Sequence, residues 1–252
     1  MKIRLYFALL LVGMSQHSLA FTPTVITLAT TSWCPYTCGQ NKDDSGIIGV
    51  YLREVFSTLG IQLHIETYPW SRAIHMAQQG QVDGLLTAIP EEAPNLLFTK
   101  VPTATFQMCF YTQKDNDWQY STPINIGANK LAVIQNYGYG EPVDSFIKNK
   151  SDIVKLSGLD SSKRLLDLLI KKRVDIIIGD SMVLGWSAQI NNFDLHTSKQ
   201  AGCLPESPFY LALTPSDKHK KLIVELDSAL KNQKQRAMLK ALLAENALNK
   251  SL

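Results

Sequence analysis

The chain has 252 residues, a formal net charge of +3 and 45% hydrophobic residues. Its basic residues are scattered along the sequence, which argues against a surface that binds nucleic acid or a membrane. A chain of this length has room for one large domain or two small ones, each with a core of its own.

Residues 1–20 are predicted to be a secretory signal peptide. Lys2 and Arg4 give a positively charged start, residues 5–13 are apolar, and Ser-Leu-Ala at 18–20 has the small-x-small pattern of a cleavage site. The apolar run is shorter than the about 20 residues that a spanning helix needs. A retained N-terminal anchor is the alternative. We therefore expect cleavage and a periplasmic location.

All four cysteines follow the predicted cleavage site, and an even number of cysteines in an exported chain predicts disulfides. Cys34 and Cys38 are close enough to close a small loop, and Cys109 and Cys203 then form the long-range pair. A thioredoxin-like redox site fits less well, because it has two residues between its cysteines. A metal site would need further Cys or His ligands at matched spacing. We expect neither a metal nor a cofactor.

The first half of the mature chain alternates between strand-like and helix-like patterns. Residues 24–29 are apolar and β-rich, and residues 52–59 carry a helical stripe of apolar side chains. Residues 61–66 alternate with the strand period of two, residues 70–77 carry a second helical stripe, and residues 82–86 are a short buried strand. This β-α-β-α-β order predicts a parallel sheet covered by helices.

A second α/β unit follows a proline-rich break at residues 90–102. A strand is predicted at 106–112 and a polar loop at 114–127, after which the alternation restarts. Further strands are predicted at 131–135, 153–156, 174–178 and 209–214, and helices at 142–148, from a cap at Ser161 or Ser162, from Ser181, and in two amphipathic segments near the C-terminus.

These patterns predict an α/β fold with two lobes, each a mostly parallel sheet flanked by helices. Lobe 1 is expected to comprise residues 21–110 and 210–252, and lobe 2 residues 111–209. The late strand would return the chain to lobe 1, so that two crossing strands join the lobes. A ligand cleft between the lobes would face the carboxyl ends of the strands.

Several short motifs occur in a specific order and cover nearly all of residues 24–246. They are Trp33-Cys34-Pro35-Tyr36, the run Gly46 to Leu52, Tyr68-Pro69-Trp70-Ser71-Arg72-Ala73, Gly80-Gln81-Val82-Asp83-Gly84, Val174-Asp175 and Gly179-Asp180. Together they resemble the family 3 extracellular solute-binding proteins, the periplasmic components of amino-acid-type ABC importers, and within them a cysteine-containing branch. The resemblance implies a two-lobed periplasmic-binding-protein type II fold and a monomer. It also implies a small-molecule ligand, an inner-membrane ABC permease as partner, and no catalysis.

The resemblance and the predicted loops also suggest which residues contact the ligand. Aromatic side chains would form a wall, the amides after the strand at 131–135 would face an anionic group, and Asp180 matches the family's partner for a ligand ammonium. Each has a structural alternative: core packing for the aromatic residues, a surface ion pair for the arginine, a turn for the threonine, and a helix N-cap for the aspartate. The candidates are Trp33, Tyr36, Trp70, Arg72, Thr87, Tyr137, Gly138, Tyr139 and Asp180.

One departure from the family concerns the arginine that holds the ligand carboxylate in its amino-acid binders. Counting the family spacing from Asp83 leads to Asn95, which cannot replace the charged fork of an arginine. Arg72 is the nearest substitute. The departure argues against an ordinary amino acid and leaves a small polar solute, amino-acid-like or amine-bearing, as the expected ligand.

Two other functions remain open at the level of sequence. The fold also carries periplasmic lyase or dehydratase activity, for which Asp180, Glu141 or a histidine would have to act as acid or base. The sequence has no Ser/His/Asp, metal or paired-carboxylate constellation that points to catalysis. A ligand-sensing component that signals to a receptor is the third possibility, and no sequence feature separates it from a transport protein.

Overall fold

A computed structural model describes residues 24–39 and 45–248, so the predicted signal peptide at 1–20 lies outside the described residues. The strands are β1 (Thr24–Thr30), β2 (Ile61–Thr67), β3 (Gly84–Ala88), β4 (Leu97–Phe98), β5 (Ala104–Phe106), β6 (Met108–Gln113), β7 (Leu131–Ile134), β8 (Val154–Leu156), β9 (Ile176–Asp180), β10 (Ser198–Cys203) and β11 (Ser207–Leu213). The helices are α1 (Gly46–Thr58), α2 (Trp70–Gln78), α3 (Val143–Asn149), α4 (Ser161–Ile170), α5 (Ser181–Ile190), α6 (Asp217–Lys231) and α7 (Gln233–Leu248).

The first sheet has the order β2-β1-β3-β11-β4, with β5 paired to β11. Strands β1, β2 and β3 are parallel, as predicted, and β11 returns antiparallel to β3. Ile26 and Leu28 point to the face that α1, α6 and α7 cover, whereas Ala29 points to the face that α2 covers. This alternation follows from the strand period of two, and it buries both faces of the sheet.

The second sheet has the order β10-β6-β9-β7-β8. Strands β7, β8 and β9 are parallel, and β6 runs antiparallel to β9 and to β10. Leu165 and Leu169 of α4 and Leu184 of α5 pack with Ala132 and Ile177 on one face. The prediction of two lobes, each built on a mostly parallel sheet with helices, is confirmed.

The chain passes between the two sheets twice, and both passages lie side by side. The first leads from β5 through Gln107 into β6, and the second leads from β10 through residues 204–206 into β11. These are the two predicted crossing strands. The strand β10 was not predicted, because its polar Ser-Lys-Gln start carries no apolar alternation. The residue boundaries proposed for the lobes stay a prediction.

The ends of several elements show where local signals succeed and fail. Helices α1 and α2 are followed by Gly60 and Gly80 in the left-handed region, at φ of 69° and 68°, which side chains other than glycine rarely adopt. Strand β3 begins at Gly84, later than predicted, where it pairs with Leu28 of β1. Helix α4 is capped at Asp160 without a side-chain cap bond, so the predicted serine cap is wrong.

Both predicted disulfides are present. Cys34 and Cys38 close a loop after β1, and Cys109 and Cys203 join β6 to β10 at directly paired positions. The second disulfide therefore fastens the two passages to each other on the side of the second sheet. Within the described ranges, no helix combines the length and the apolar character that a membrane span requires.

We predict that the Cys109–Cys203 disulfide contributes more to stability than the Cys34–Cys38 disulfide. The first closes a loop with a sequence separation of 94 and the second a loop with a separation of 4. Chain entropy then gives about 4–5 kcal/mol for the long loop and about 2 kcal/mol for the short one. Urea unfolding of the paired Cys→Ser variants checks this. An equal or larger loss of unfolding free energy in the Cys34/Cys38 variant would contradict it.

Candidate functional site

A cavity lies between the two lobes, beside the two passages of chain that connect them. Its wall has six residues from the first lobe (Trp33, Trp70, Thr87, Ala88, Ile89 and Glu92), three from the connecting strands (Phe106, Met108 and Phe209) and two from the second lobe (Tyr137 and Gly138). The first-lobe residues follow or end β1, β2 and β3, and the second-lobe residues follow β7. The cavity therefore faces the carboxyl ends of parallel strands, as predicted.

The lobes lie in contact around this cavity, whose volume is about 40 Å³. Small-molecule sites usually measure about 300–1,000 Å³, so this arrangement of the lobes leaves little room for an organic solute between them. A groove of about 690 Å³ lies next to the cavity and shares Glu92, Tyr137 and Gly138 with it. These three residues form the wall between the inner cavity and the open groove.

The segment that follows β7 makes the interlobe contacts. Gly138 N donates to Glu92 Oε1 at 2.8 Å, Asn136 Nδ2 donates to Ser71 Oγ at 3.0 Å, and the Tyr137 side chain is hydrogen-bonded to Thr31. In addition, the rings of Trp70 and Tyr137 meet edge to face with centroids 6.5 Å apart. Residues 136–138 therefore hold the second lobe against the first.

Gly138 allows this close approach because it has no side chain. A Cβ atom at this position would lie 2.3 Å from Ile89 Cδ1 and 3.2 Å from Glu92 Cγ. Any larger residue at 138 would press on both of these neighbours from the first lobe. The interlobe contact therefore favours glycine at this position, and the backbone angles of Gly138 do not demand it.

Five of the nine candidate ligand-binding residues line the cavity: Trp33, Trp70, Thr87, Tyr137 and Gly138. Tyr36 lies behind Trp33, with ring centroids 4.5 Å apart, and its hydroxyl donates to the Thr105 carbonyl at 3.2 Å. Tyr139 is buried in the second lobe, where its hydroxyl accepts from Ile134 N at 2.7 Å. Tyr36 and Tyr139 support the residues that line the cavity.

Arg72 lies outside the cavity. Its side chain is exposed on α2, and its guanidinium carbon lies 4.9 Å from the centre of the Tyr68 ring. Helix α2 presents Trp70 to the cavity, and the side chain two positions later points to another side of the helix. None of the described residues that line the cavity is Lys, Arg or His.

Asp180 uses both of its carboxylate oxygens for backbone bonds. Oδ1 accepts from Val183 N at 2.9 Å, which caps α5, and Oδ2 accepts from Gln107 N at 2.9 Å. Gln107 is the residue between β5 and β6, so Asp180 fastens the first passage to the second lobe. The geometry matches the N-cap interpretation of this residue and adds an anchoring role at the connection.

Glu92 is the charged residue of the cavity, and no sequence motif singled it out. A turn places it: Pro90 follows β3, and Glu92 N donates to the Ile89 carbonyl at 3.1 Å. The side chain then accepts from Trp70 Nε1 at 3.1 Å, from Ile89 N at 3.2 Å and from Gly138 N. Asn95, to which the family spacing leads, is exposed.

Burial raises the pKa of Glu92 from its ordinary value to about 7, although the three N–H donors act in the opposite direction. The charge of Asp144 also raises it. Its side chain is only partly buried by surface area, but its carboxylate faces the closed contact between the lobes. Among the described residues, no group of three or more His, Cys, Asp or Glu side chains is placed to hold a metal ion.

Comparisons with known proteins agree with this architecture. A histidine kinase sensor domain with similarity to periplasmic binding proteins superposes with a TM-score of 0.74 at 15% identity, covering 88% of this chain and 95% of the other. An arginine-bound amino acid ABC transporter substrate-binding protein from Streptococcus pneumoniae gives 0.70 at 15% identity, covering 90% and 95%. An ancestral amino-acid-binding protein, described as a precursor of cyclohexadienyl dehydratase, gives 0.68 at 17%, covering 88% and 94%.

At such identities these structures establish the fold alone. A search of curated protein sequences finds no significant match. The sequence profile of the bacterial extracellular solute-binding proteins, family 3, matches residues 25–247 and therefore nearly the whole chain. Together with its two disulfides, the match shows that this chain is a cysteine-containing member of the family 3 bacterial extracellular solute-binding proteins.

Proposed function

We propose that the protein captures a small polar solute, amino-acid-like or amine-bearing, by closure of its two lobes. The observation that carries this proposal is that both lobes contribute to the wall of one cavity, at the carboxyl ends of their strands. A ligand in that cavity contacts both lobes at once and therefore stabilises the closed state relative to the open state.

The proposal includes delivery of the solute to an inner-membrane ABC permease. Membership of the extracellular family supports a periplasmic location, and the arginine-bound transporter protein from Streptococcus pneumoniae supports a role in uptake. The predicted signal peptide at 1–20 would provide the export step. A soluble monomer that presents its closed form to the permease is the simplest arrangement.

Two observations favour second candidates. The likeness to a histidine kinase sensor domain supports a role in which the closed form signals to a receptor. The likeness to a dehydratase precursor, together with a Glu92 pKa near neutral, supports an acid–base role for this carboxyl in an enzyme.

Two experiments separate these candidates from a transport protein. NMR of a bound solute after incubation with the protein shows whether the solute is only bound or is converted to a product. Uptake of that solute by cells that lack the gene for this protein separates transport from sensing, because only a transport role predicts a loss of uptake.

We expect a solute that binds the cavity to raise the melting temperature of the mature chain and to slow hydrogen exchange of the Gly138 amide, which donates across the lobe contact. The physical reason is mass action on the closed state. A thermal-shift screen of small solutes, followed by hydrogen-exchange measurements, tests both effects. A solute that stabilises the protein with no added protection of the Gly138 amide would contradict closure.

Gly138→Val tests the interlobe contact directly. The added side chain would meet Ile89 and Glu92, and overpacking of about 1–3 kcal/mol should weaken solute binding by roughly tenfold or more. Gly185→Val is the matched control, because a Cβ at Gly185 has no neighbour within 4 Å. Isothermal titration calorimetry of both variants measures the affinity for the solute. Equal losses of affinity in the two variants would refute a role in closure for the contact of Gly138 with Ile89 and Glu92.

The ligand-free protein should lose stability as the pH rises between about 4.5 and 7. The pKa of Glu92 is about 7 in the folded chain, against an ordinary value of 4.5. The folded state therefore binds the extra proton in this window, and ionisation then costs up to about 3 kcal/mol. Glu92→Gln should remove this slope, whereas Glu91→Gln, an exposed neighbour, should keep it. Urea unfolding across the pH range measures it.

The comparison with Glu92→Gln isolates this group from others that titrate nearby. The groups that adjoin Glu92 or line the neighbouring groove are Tyr137, Tyr139, Asp144, Glu91, Glu141, Lys148 and Lys155. Their contributions are present in both proteins and cancel in the difference. Parallel curves for the wild type and Glu92→Gln would show that the pKa of Glu92 is unchanged by folding.

A further inference from the structure

The carboxylate of Glu92 has one acceptor position left after its three hydrogen bonds. Oε1 accepts from Trp70 Nε1 and Gly138 N, and Oε2 accepts from Ile89 N. An ionised carboxylate offers about four such positions, so one remains on Oε2. The two oxygens thus combine a fixed orientation with spare capacity for one further donor.

The charge of Glu92 also lacks a cation in the cavity wall. No described residue of that wall is basic, and Arg72, the nearest candidate from sequence, lies on the outside of α2. Even partial removal of a carboxylate from water without a positive partner costs free energy. A positively charged ligand group would supply that partner, whereas a ligand carboxylate beside Glu92 would add a like charge.

The rest of the cavity wall is largely aromatic. Five rings from both lobes and from the connecting strands line it: Trp33, Trp70, Phe106, Tyr137 and Phe209. The faces of such rings attract cations, and the attraction is stronger where water is excluded. Edge-to-face contacts among Trp33, Phe106 and Phe209 at 5.4–5.9 Å hold three of these rings in fixed positions.

From these contacts we infer that the cavity is specific for a small organic cation that lacks a carboxylate, with Glu92 as its counter-charge and the five rings as its walls. The inference rests on the proposed binding function and names the substrate class of that same site. An amino acid needs a positive group in the site for its carboxylate, and the wall of this cavity has none among its described residues. We therefore expect an amine or a guanidine as the ligand rather than an amino acid.

The cation should keep Glu92 ionised, and this links binding to protons. In the ligand-free protein part of the Glu92 population carries a proton near neutral pH, because its pKa is about 7, and that proton has to leave when the cation binds. Affinity should therefore rise between about pH 6 and 8, and binding near pH 6.5 should release a fraction of a proton. Titration calorimetry in two buffers with different ionisation enthalpies counts the released protons.

The decisive experiment uses pairs of probes that differ by one carboxylate: agmatine and arginine, putrescine and ornithine, ethanolamine and serine. We expect at least one of the three cations to bind the mature wild-type protein at least about tenfold more tightly than its carboxylate partner, because the like charge beside Glu92 is then absent. If all three cations fail to bind, or if each carboxylate partner binds as tightly, the inference is overturned.

Glu92→Gln and Glu91→Gln form the matched pair of variants. Loss of a charge-assisted bond should weaken the cation about 10- to 100-fold in Glu92→Gln, and Glu91→Gln, with the same change in net charge, should bind like the wild type. If Glu92→Gln does not unfold cooperatively, the three pairs of probes on the wild-type protein decide in its place.

These outcomes separate the inference from the proposed function on which it rests. If a neutral or carboxylate-bearing solute closes the lobes, the inferred specificity for a cation is wrong, but the proposed binding function stands. Failure of every solute in the wider thermal-shift screen would count against the binding function itself.

Discussion

Two antiparallel passages of chain, joined side by side, govern how the two lobes of this protein relate to each other. Gln107 lies between β5 and β6, and its backbone N–H donates to Asp180 while its side chain donates to the Leu204 carbonyl in the other passage. The Cys109–Cys203 disulfide fastens the same passages one step further into the second lobe. For the proposed closure, these links oppose sliding of the lobes and leave rotation about the residues between the strands as the expected motion.

This constraint also determines the chemistry of the cleft. Phe106 and Phe209 of the connecting strands lie at the floor of the cavity, where the proposed rotation would displace them least, while Glu92 and Gly138 meet at its edge. The contact between the lobes shields the Glu92 carboxylate partly from water, and three N–H groups offset part of the cost of that shielding. The strength of the contact between Glu92 and Gly138 therefore depends on whether the Glu92 carboxyl is ionised.

Most of the fold follows from local patterns in the sequence. The alternating apolar residues of β2, the helical stripes of α1 and α2, and the glycines that follow those helices predicted the first α/β unit. The restart of the strand–helix alternation at residues 131–178 predicted the second. Strands β4 and β10 escaped prediction, because one has two residues and the other begins with polar side chains. Such strands are defined by their partners, here β11 and β6, rather than by their own periodicity.

The site was predicted less completely, for a physical reason that Arg72 and Glu92 illustrate. The amino-acid sequence by itself determined the elements, their order, the cysteines available for pairing and the aromatic residues that follow β1 and begin α2. Only the tertiary structure decided that α2 turns Arg72 outward and that the Pro90 turn brings Glu92 to Gly138, which is 46 residues away in the chain. The direction of a side chain and its partner across a cleft depend on the docking of whole lobes, and no local pattern records that docking.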